Sequence, residues 1–242
     1  MKLGIITDIH SNNIALNEVL KEFKKIKVDK IICCGDIIGI GPNPEEVVQA
    51  LMKVSDKLIA VRGNHERYLL DGLPANVHDD KRNMSIEEIK NHKWIHGRIS
   101  EQSKNFLENL PTYKTIEIEN KKIFLIHYPV NKEGEYKEHI KNPTFEENKK
   151  MFSEVNSDIY IYGHTHVACI NNKDNKWFIN VGSLGCPLKS NIANAGVLDI
   201  RNDKINFEKL AITYNVNKVI KEVKKLKFPF YEGILKIFYG DR

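Results

Sequence analysis

The sequence predicts an α/β fold, and three features of the first third of the chain point to it. Short apolar runs at 2–7, 30–35 and 57–61 are separated by amphipathic helical stretches, the rhythm of βαβ units and a parallel sheet. The runs are apolar on both parities, which suits strands buried on both faces. Each ends in Asp, Asn or His, at the strand edge where open α/β sheets bind ligands.

In chain order, the first strand leads into Asp8 and His10. Asn12 or Asn13 then caps a helix whose Leu16, Val19, Leu20, Phe23 and Ile26 form one stripe against a lysine- and glutamate-rich face. The second strand, Ile31 to Cys34, stops at Gly35-Asp36 and is expected to run parallel to the first with a right-handed crossover. Gly35, Gly39 and Gly41 allow a tight turn and close approach to a ligand. A lone Gly-Asp pair is most often just a turn; its repetition at other strand ends changes that reading. Asn43-Pro44-Glu45-Glu46 is a helix start, followed by Val47, Val48, Leu51 and Met52 as the buried stripe. The third strand ends in Arg62-Gly63-Asn64-His65-Glu66.

Residues 67–110 break the rhythm with helices expected at 85–96 and 101–110 and apolar points at Trp94, Ile95, Phe106 and Leu107. His78, His92 and His96 fall here. His92 and His96 share a helical face, but no carboxylate is placed to join them, so they read as helix surface. A hairpin (113–119, 122–126) ends at His127, and Thr144-x-x-Glu147 is a capping box for a helix to about 155. The strand from Asp158 ends in Gly163-His164-Thr165-His166, a pair of histidines that packing does not justify. Strands at 167–171, 176–181, 194–200 and 204–213 are expected as a meander or second sheet, with the turn-rich loop Asn180 to Pro187 at the same edge. A basic amphipathic helix (215–227) and an apolar tail close the chain.

Composition narrows the functional classes. With 242 residues, 41% hydrophobic and 29% charged, the chain is an ordinary globular one. The expectation is a single domain, 1–242, with a helical insert at about 67–110 and a C-terminal helix plus tail at about 215–242. The net charge of +5 is spread along the chain, which gives little support to nucleic-acid binding. The four cysteines (Cys33, Cys34, Cys169, Cys186) have neither metal spacing nor a disulfide framework, so a reducing cytoplasm is expected. No run approaches the ~18 apolar residues of a membrane span, and the apolar start is too short for a signal sequence before Asp8 interrupts it. No membrane partner is therefore expected.

Five of nine histidines sit just past strand ends, beside Asp8, Asp36 and Asn64. Imidazole and carboxylate without thiolate suit Mn²⁺, Fe or Zn²⁺ better than Mg²⁺ or Ca²⁺. Seven ligands are too many for one catalytic ion and right for two that share a bridging carboxylate, the arrangement suited to in-line phosphoryl transfer.

Taken together, Asp8-x-His10, Gly35-Asp36, Gly63-Asn64-His65-Glu66, His127 and Gly163-His164-Thr165-His166 resemble the calcineurin-like metallophosphoesterases, and specifically the small bacterial and archaeal phosphodiesterase branch. The resemblance implies a four-layer α/β/β/α sandwich of two mixed sheets flanked by helices. It implies two divalent transition-metal ions, Mn²⁺ foremost with Fe, Zn²⁺ or Ni²⁺ as alternatives. One ion would take Asp8, His10, Asp36 and His166; the other would take Asp36, Asn64, His127 and His164. A hydroxide between them would attack a small phosphate ester, with His65 stabilising the transition state or protonating the leaving oxygen. The protein-phosphatase branch carries an Asp-Arg pair where this sequence has Gly39 and Ile40, so Arg62 and Arg67 are the candidate phosphate-binding substitutes. Two other readings remain at this stage: a protein or dinucleoside-polyphosphate phosphatase, and a scaffold of the same fold without chemistry. Self-association is left open.

Overall fold

The computed structural model describes residues 1–240 apart from 75, 78–81, 133, 187, 189 and 203. Of the residues singled out above, His78 and Pro187 lie outside the described set. The chain opens with β1 (Lys2–Ile6), α1 (Asn13–Lys25), β2 (Lys30–Cys33), α2 (Pro44–Met52) and β3 (Leu58–Ala60), and β1, β2 and β3 pair in parallel. Asn12 caps α1 by accepting from the Ala15 N–H. Asn43 sits at the start of α2 but makes no cap bond there; its amide donates to Glu222 instead.

Between the sheets' two halves come α3 (Asn64–Leu70), a short hairpin of β4 (Asn76–Val77) and β5 (Arg82–Asn83), α4 (Ile86–His96) and α5 (Glu101–Glu108). The hairpin has no counterpart in the sequence reading, and the first helix begins at Asn64 itself. Next are β6 (Tyr113–Ile118) and β7 (Lys121–Ile126), joined through Glu119 and Asn120, both with positive φ. That is the tight two-residue turn whose twist matches a hairpin. Then follow α6 (Phe145–Met151), β8 (Ile159–Ile161), β9 (Cys169–Lys173), β10 (Lys176–Asn180), β11 (Ile192–Arg201) and β12 (Lys204–Thr213). Reciprocal Thr144–Glu147 bonds do cap α6, which stops at Met151 rather than near 155. The chain ends with α7 (Val216–Leu226), α8 (Tyr231–Ile234) and a π-helical turn, Leu235–Tyr239.

The strands form two mixed five-stranded sheets, ordered β12-β11-β1-β2-β3 and β6-β7-β8-β10-β9. The last four strands are therefore not one meander. β9 and β10 extend the second sheet, whereas β11 crosses back to pair antiparallel with β1, Leu3 facing Leu198. That pairing closes the free edge of β1, which would otherwise expose backbone N–H and C=O groups inside the molecule. β1 is then the central strand of its sheet.

Side-chain alternation builds the layers. Leu3, Ile5, Ile32 and Cys34 from the first sheet pack against Ile123, Leu125, Ile159 and Ile161 from the second, between the sheets. The intervening residues point outward: Ile6, Ile31 and Cys33 meet α1, α2 and α7, while Phe124, Tyr160 and Tyr162 meet α6. The result is helix, sheet, sheet, helix. Fully burying each such aliphatic side chain stabilises by roughly 1.5–3 kcal/mol. Because β1, β2 and β3 are parallel, as are β7 and β8, their C-terminal ends open toward shared edges of the two sheets.

Candidate active site

Loops after β1, β2, β3, β7 and β8 bring the predicted residues together. His10 Nε2 lies 2.8 Å from His166 Nε2 and 3.7 Å from Asp36 Oδ2, and His166 Nε2 lies 3.5 Å from Asp8 Oδ1. On the other side, His127 Nε2 is 3.3 Å from Asp36 Oδ2, 3.1 Å from Asn64 Oδ1 and 3.0 Å from His164 Nδ1. Two groups result, one with Asp8, His10 and His166, the other with Asn64, His127 and His164, and Asp36 reaches both. Asp8, His10, Asp36 and His127 are almost wholly buried.

The backbone is held unusually to achieve this. Asp8, His10, Asp36, His164 and His166 all have φ between 45° and 74°, the left-handed region that non-glycine residues seldom enter. Such strain, of order 1–3 kcal/mol per residue, persists only where surroundings over-determine it. Here the Asp8 carboxylate accepts from the His164 N–H and the Thr7 hydroxyl. The His10 N–H donates to the Asp36 carbonyl, and the Ser183 hydroxyl to the Asp8 carbonyl. Gly63 lies so close to Asp36 that a Cβ there would collide with the carboxylate.

Glu66, quoted in the Gly63–Glu66 block without a role, is the keystone. It is fully buried and accepts from the backbone N–H groups of Asp36, Ile37, Ile38 and Gly63 at 2.7–3.1 Å. One carboxylate thus fixes the two loops that carry Asp36 and Asn64. Burial, with the Asp36 charge beside it, pushes its pKa up to about 7, while the four N–H donors favour the anion.

The donor set fits divalent cations. The His127 Nδ1 lies 2.6 Å from the Cys34 carbonyl, which can only accept, so the proton is on Nδ1 and the Nε2 lone pair faces Asp36 and Asn64 oxygens. A lone pair aimed at two acceptors calls for a cation among them. Burial alone would lower the His127 pKa, but Asp36 raises it to about 9: without a metal a proton takes the cation's place on Nε2, and a divalent ion bound there would displace it. Burial opposes ionisation of Asp36 too, yet His127, His65 and His10 hold it well below the usual carboxylate range.

A model of the calcineurin-like phosphoesterase superfamily domain matches residues 1–203. The chain belongs to that superfamily. It is 27% identical to an uncharacterised protein of Methanocaldococcus jannaschii, across 98% of each chain. It is 24% identical to the phosphodiesterase YfcE of Escherichia coli, across 92% of this chain and 97% of that one. Among solved structures, a hypothetical protein of Pyrococcus horikoshii superposes with a TM-score of 0.83 at 18% identity, covering 99% and 98% of the two chains. Family membership makes the protein a metal-dependent phosphoester hydrolase and agrees with divalent-metal binding at the clustered ligands. No helix among the described residues is long and apolar enough to cross a membrane.

Around the cluster the structure corrects the reading of His92, places the two candidate arginines and brings in three further residues. His92 is buried rather than on a helix surface: its ring lies 5.1 Å from that of His65, because α4 turns this face inward. Arg67 reaches the site, lying over Tyr136 (5.6 Å), which stacks on His164 (5.0 Å), and donating to the Gly134 carbonyl. No described contact brings Arg62 there; its backbone N–H binds the Pro111 carbonyl. Cys186 was passed over, yet it offers a sulfur within 4.8 Å of the His10 and His166 ligand atoms. Burial pushes its thiol well up, so it stands as a neutral neighbour. The turn-rich loop from Asn180 was its sequence signal. His139 and Tyr136, both on His164, had none, because they lie in the aperiodic stretch after His127.

Gly39 explains how His65 is placed without an acidic partner. A Cβ at Gly39 would collide with His65 Nδ1, so the ring occupies the space a larger residue would fill. That Nδ1 is buried without a hydrogen-bond partner among the described residues. Packing orients the ring instead, with His10 at 4.9 Å, His92 at 5.1 Å and Tyr68 at 5.6 Å.

Proposed function

We propose that the protein is a two-metal phosphodiesterase acting on small phosphodiesters. The observation that carries this reading is the shared carboxylate: Asp36 Oδ2 lies 3.7 Å from His10 Nε2 in one ligand group and 3.3 Å from His127 Nε2 in the other. Asp8, His10, Asp36 and His166 would hold one ion, and Asp36, Asn64, His127 and His164 the other. Bound there, two cations would supply a nucleophile at neutral pH and neutralise the charge of an in-line displacement; Mn²⁺ is the first choice, ahead of Fe, Zn²⁺ or Ni²⁺.

The chain's own groups do the rest. Asp36 turns Oδ2 toward both ligand groups, where it would hold the ions, while Oδ1 accepts the His65 N–H at 3.0 Å, which ties the carboxylate to the start of α3. The His65 Nε2 lies 4.0 Å from Asp36 Oδ2, at the mouth of the cluster. Burial lowers its pKa, so it serves as a neutral imidazole that donates Nε2–H to the leaving oxygen. Arg67, held by Gly134 over Tyr136, is the cation available to a non-bridging phosphate oxygen. The diester preference is supported by the absence of the Asp-Arg pair and by the similarity to YfcE.

Elemental analysis of the purified chain and turnover of bis(4-nitrophenyl) phosphate, with Mn²⁺ and after chelation, test the proposal. Two metals per chain and chelator-sensitive turnover of diesters above monoesters support it. A metal-loaded protein inert toward mono-, di- and nucleotide esters would instead make it a scaffold of this fold.

A further inference from the structure

A cavity of about 210 Å³ opens beside His65 and Asn64. Its walls are Tyr68, Met84 and His92 from the segment between β3 and β6, and Phe230, Ile237 and Phe238 from the C-terminal tail. The two walls are fastened to each other. The Asn91 amide donates to the Pro229 carbonyl at 2.9 Å, and Trp94 stacks on Phe228 at 4.6 Å and 28°. Phe238 also approaches the candidate ligand His166, ring to ring at 6.2 Å.

We propose that this cavity binds an uncharged aromatic group, an aryl ring or nucleobase, esterified to the oxygen that leaves phosphorus; the inference rests on the phosphodiesterase reading above. Position assigns it to the leaving side, because the cavity is lined by His65, the proposed donor to the departing oxygen, next to the candidate ligand Asn64. Size restricts it to one ring system. Whole drug-sized ligands occupy roughly 300–1,000 Å³, so a 210 Å³ chamber takes only a fragment of a substrate. Charge excludes a second phosphate: among the described residues that line it there is no lysine or arginine. Its aromatic lining offers faces and edges against which a π-system stacks.

Two features set the cavity apart from a packing void. Ile237 is 47% exposed at its rim, apolar surface left uncovered next to a polar cluster. Phe230 is held at φ 67°, a left-handed conformation that a bulky aromatic residue adopts only under constraint, with its ring packed on Gly233.

The test compares two methyl phosphodiesters whose leaving alcohols have similar acidity, one phenolic and one a small fluoroalkyl alcohol. The Mn²⁺-loaded wild type should favour the aryl ester by about tenfold or more in kcat/KM, the scale of one base stacked on protein aromatics. Met84→Trp, which fills the chamber, should bring the two esters to within about twofold. Ile237→Ala, at an exposed position that tolerates change, should lower the preference severalfold and decides the matter if Met84→Trp folds poorly. A wild type indifferent to the two alcohols, or a preference unchanged in both folded variants, would overturn the cavity assignment while leaving the phosphodiesterase intact. Failure to hydrolyse either ester with two metals bound would instead overturn the reading beneath it.

Discussion

The ligand cluster and the wall beside it are built in opposite ways. Cluster residues sit one to five positions past strand ends, mostly buried, five of the seven in left-handed backbone, and cross-tied by Asp8, Glu66 and Ser183. The wall comes from two segments far apart in sequence, and it is held by ring stacking and one amide bond. The cluster needs accuracy, since charge chemistry degrades steeply with displacement. The wall needs only shape. On the proposed function, chemistry is invested in the sheet edges and selectivity in what is laid against them.

Removing the shared carboxylate should break the cluster most completely. Asp36→Ala should lose both metals and fall to background hydrolysis, because each ligand group then keeps only neutral imidazole and amide ligands or a single carboxylate. Asn64→Ala should weaken one site alone. Two metals per chain in the Asp36 variant, by elemental analysis, would refute the shared role. Glu66→Gln tests the layer beneath. Its amide presents an N–H to donors that now meet an anion, so stability should fall by about 3–4 kcal/mol, with metal affinity reduced although no ligand is altered. Chemical denaturation that shows less than about 1 kcal/mol of loss would mean that the loops hold themselves.

How much was legible follows from the same contrast. Asp8, His10, Asp36, Asn64, His65, His127, His164 and His166 stood out because strand ends are easy to find and packing has no use for such residues there. The alternation of Ile31 and Cys33 with Ile32 and Cys34 gave the two buried faces in the same way. The destination of β11 was not legible: its apolar run fits either sheet, and only the open edge of β1 decides. Nor was His92, since a helical face is silent about what it meets until the tail is seen packed against it. Glu66 looked like a helix-start acid; its service to a loop about thirty residues earlier is purely three-dimensional.

His65 lies on the border between the two regions and should behave as such. Placed by packing, it is proposed to contribute a donor and no metal bond. His65→Asn should lower kcat by roughly 10²–10⁴ with metal content retained, the range for loss of a positioned proton donor. Metal loss in proportion to activity would move it into the cluster instead.

The smallest effect is expected where the wall is fastened. Trp94 is half-buried, with Phe228 stacked on one face and the Arg98 guanidinium 3.6 Å from its ring centroid. Full burial would make Trp→Ala cost about 3–5 kcal/mol; at this half-exposed position about 1–2 kcal/mol is expected, a fall of roughly 2–8 °C in Tm for a chain of this size. The cluster does not touch Trp94, so metal content should be unchanged. The tail should loosen, seen as faster amide exchange through 228–239, and the aryl-over-alkyl preference should drop because Phe230 and Phe238 no longer stand fixed opposite His92. If Trp94→Ala sheds metal, the wall supports the cluster and the division between the two regions fails. If the tail loosens while the preference holds, the insert packs the fold together and selects nothing.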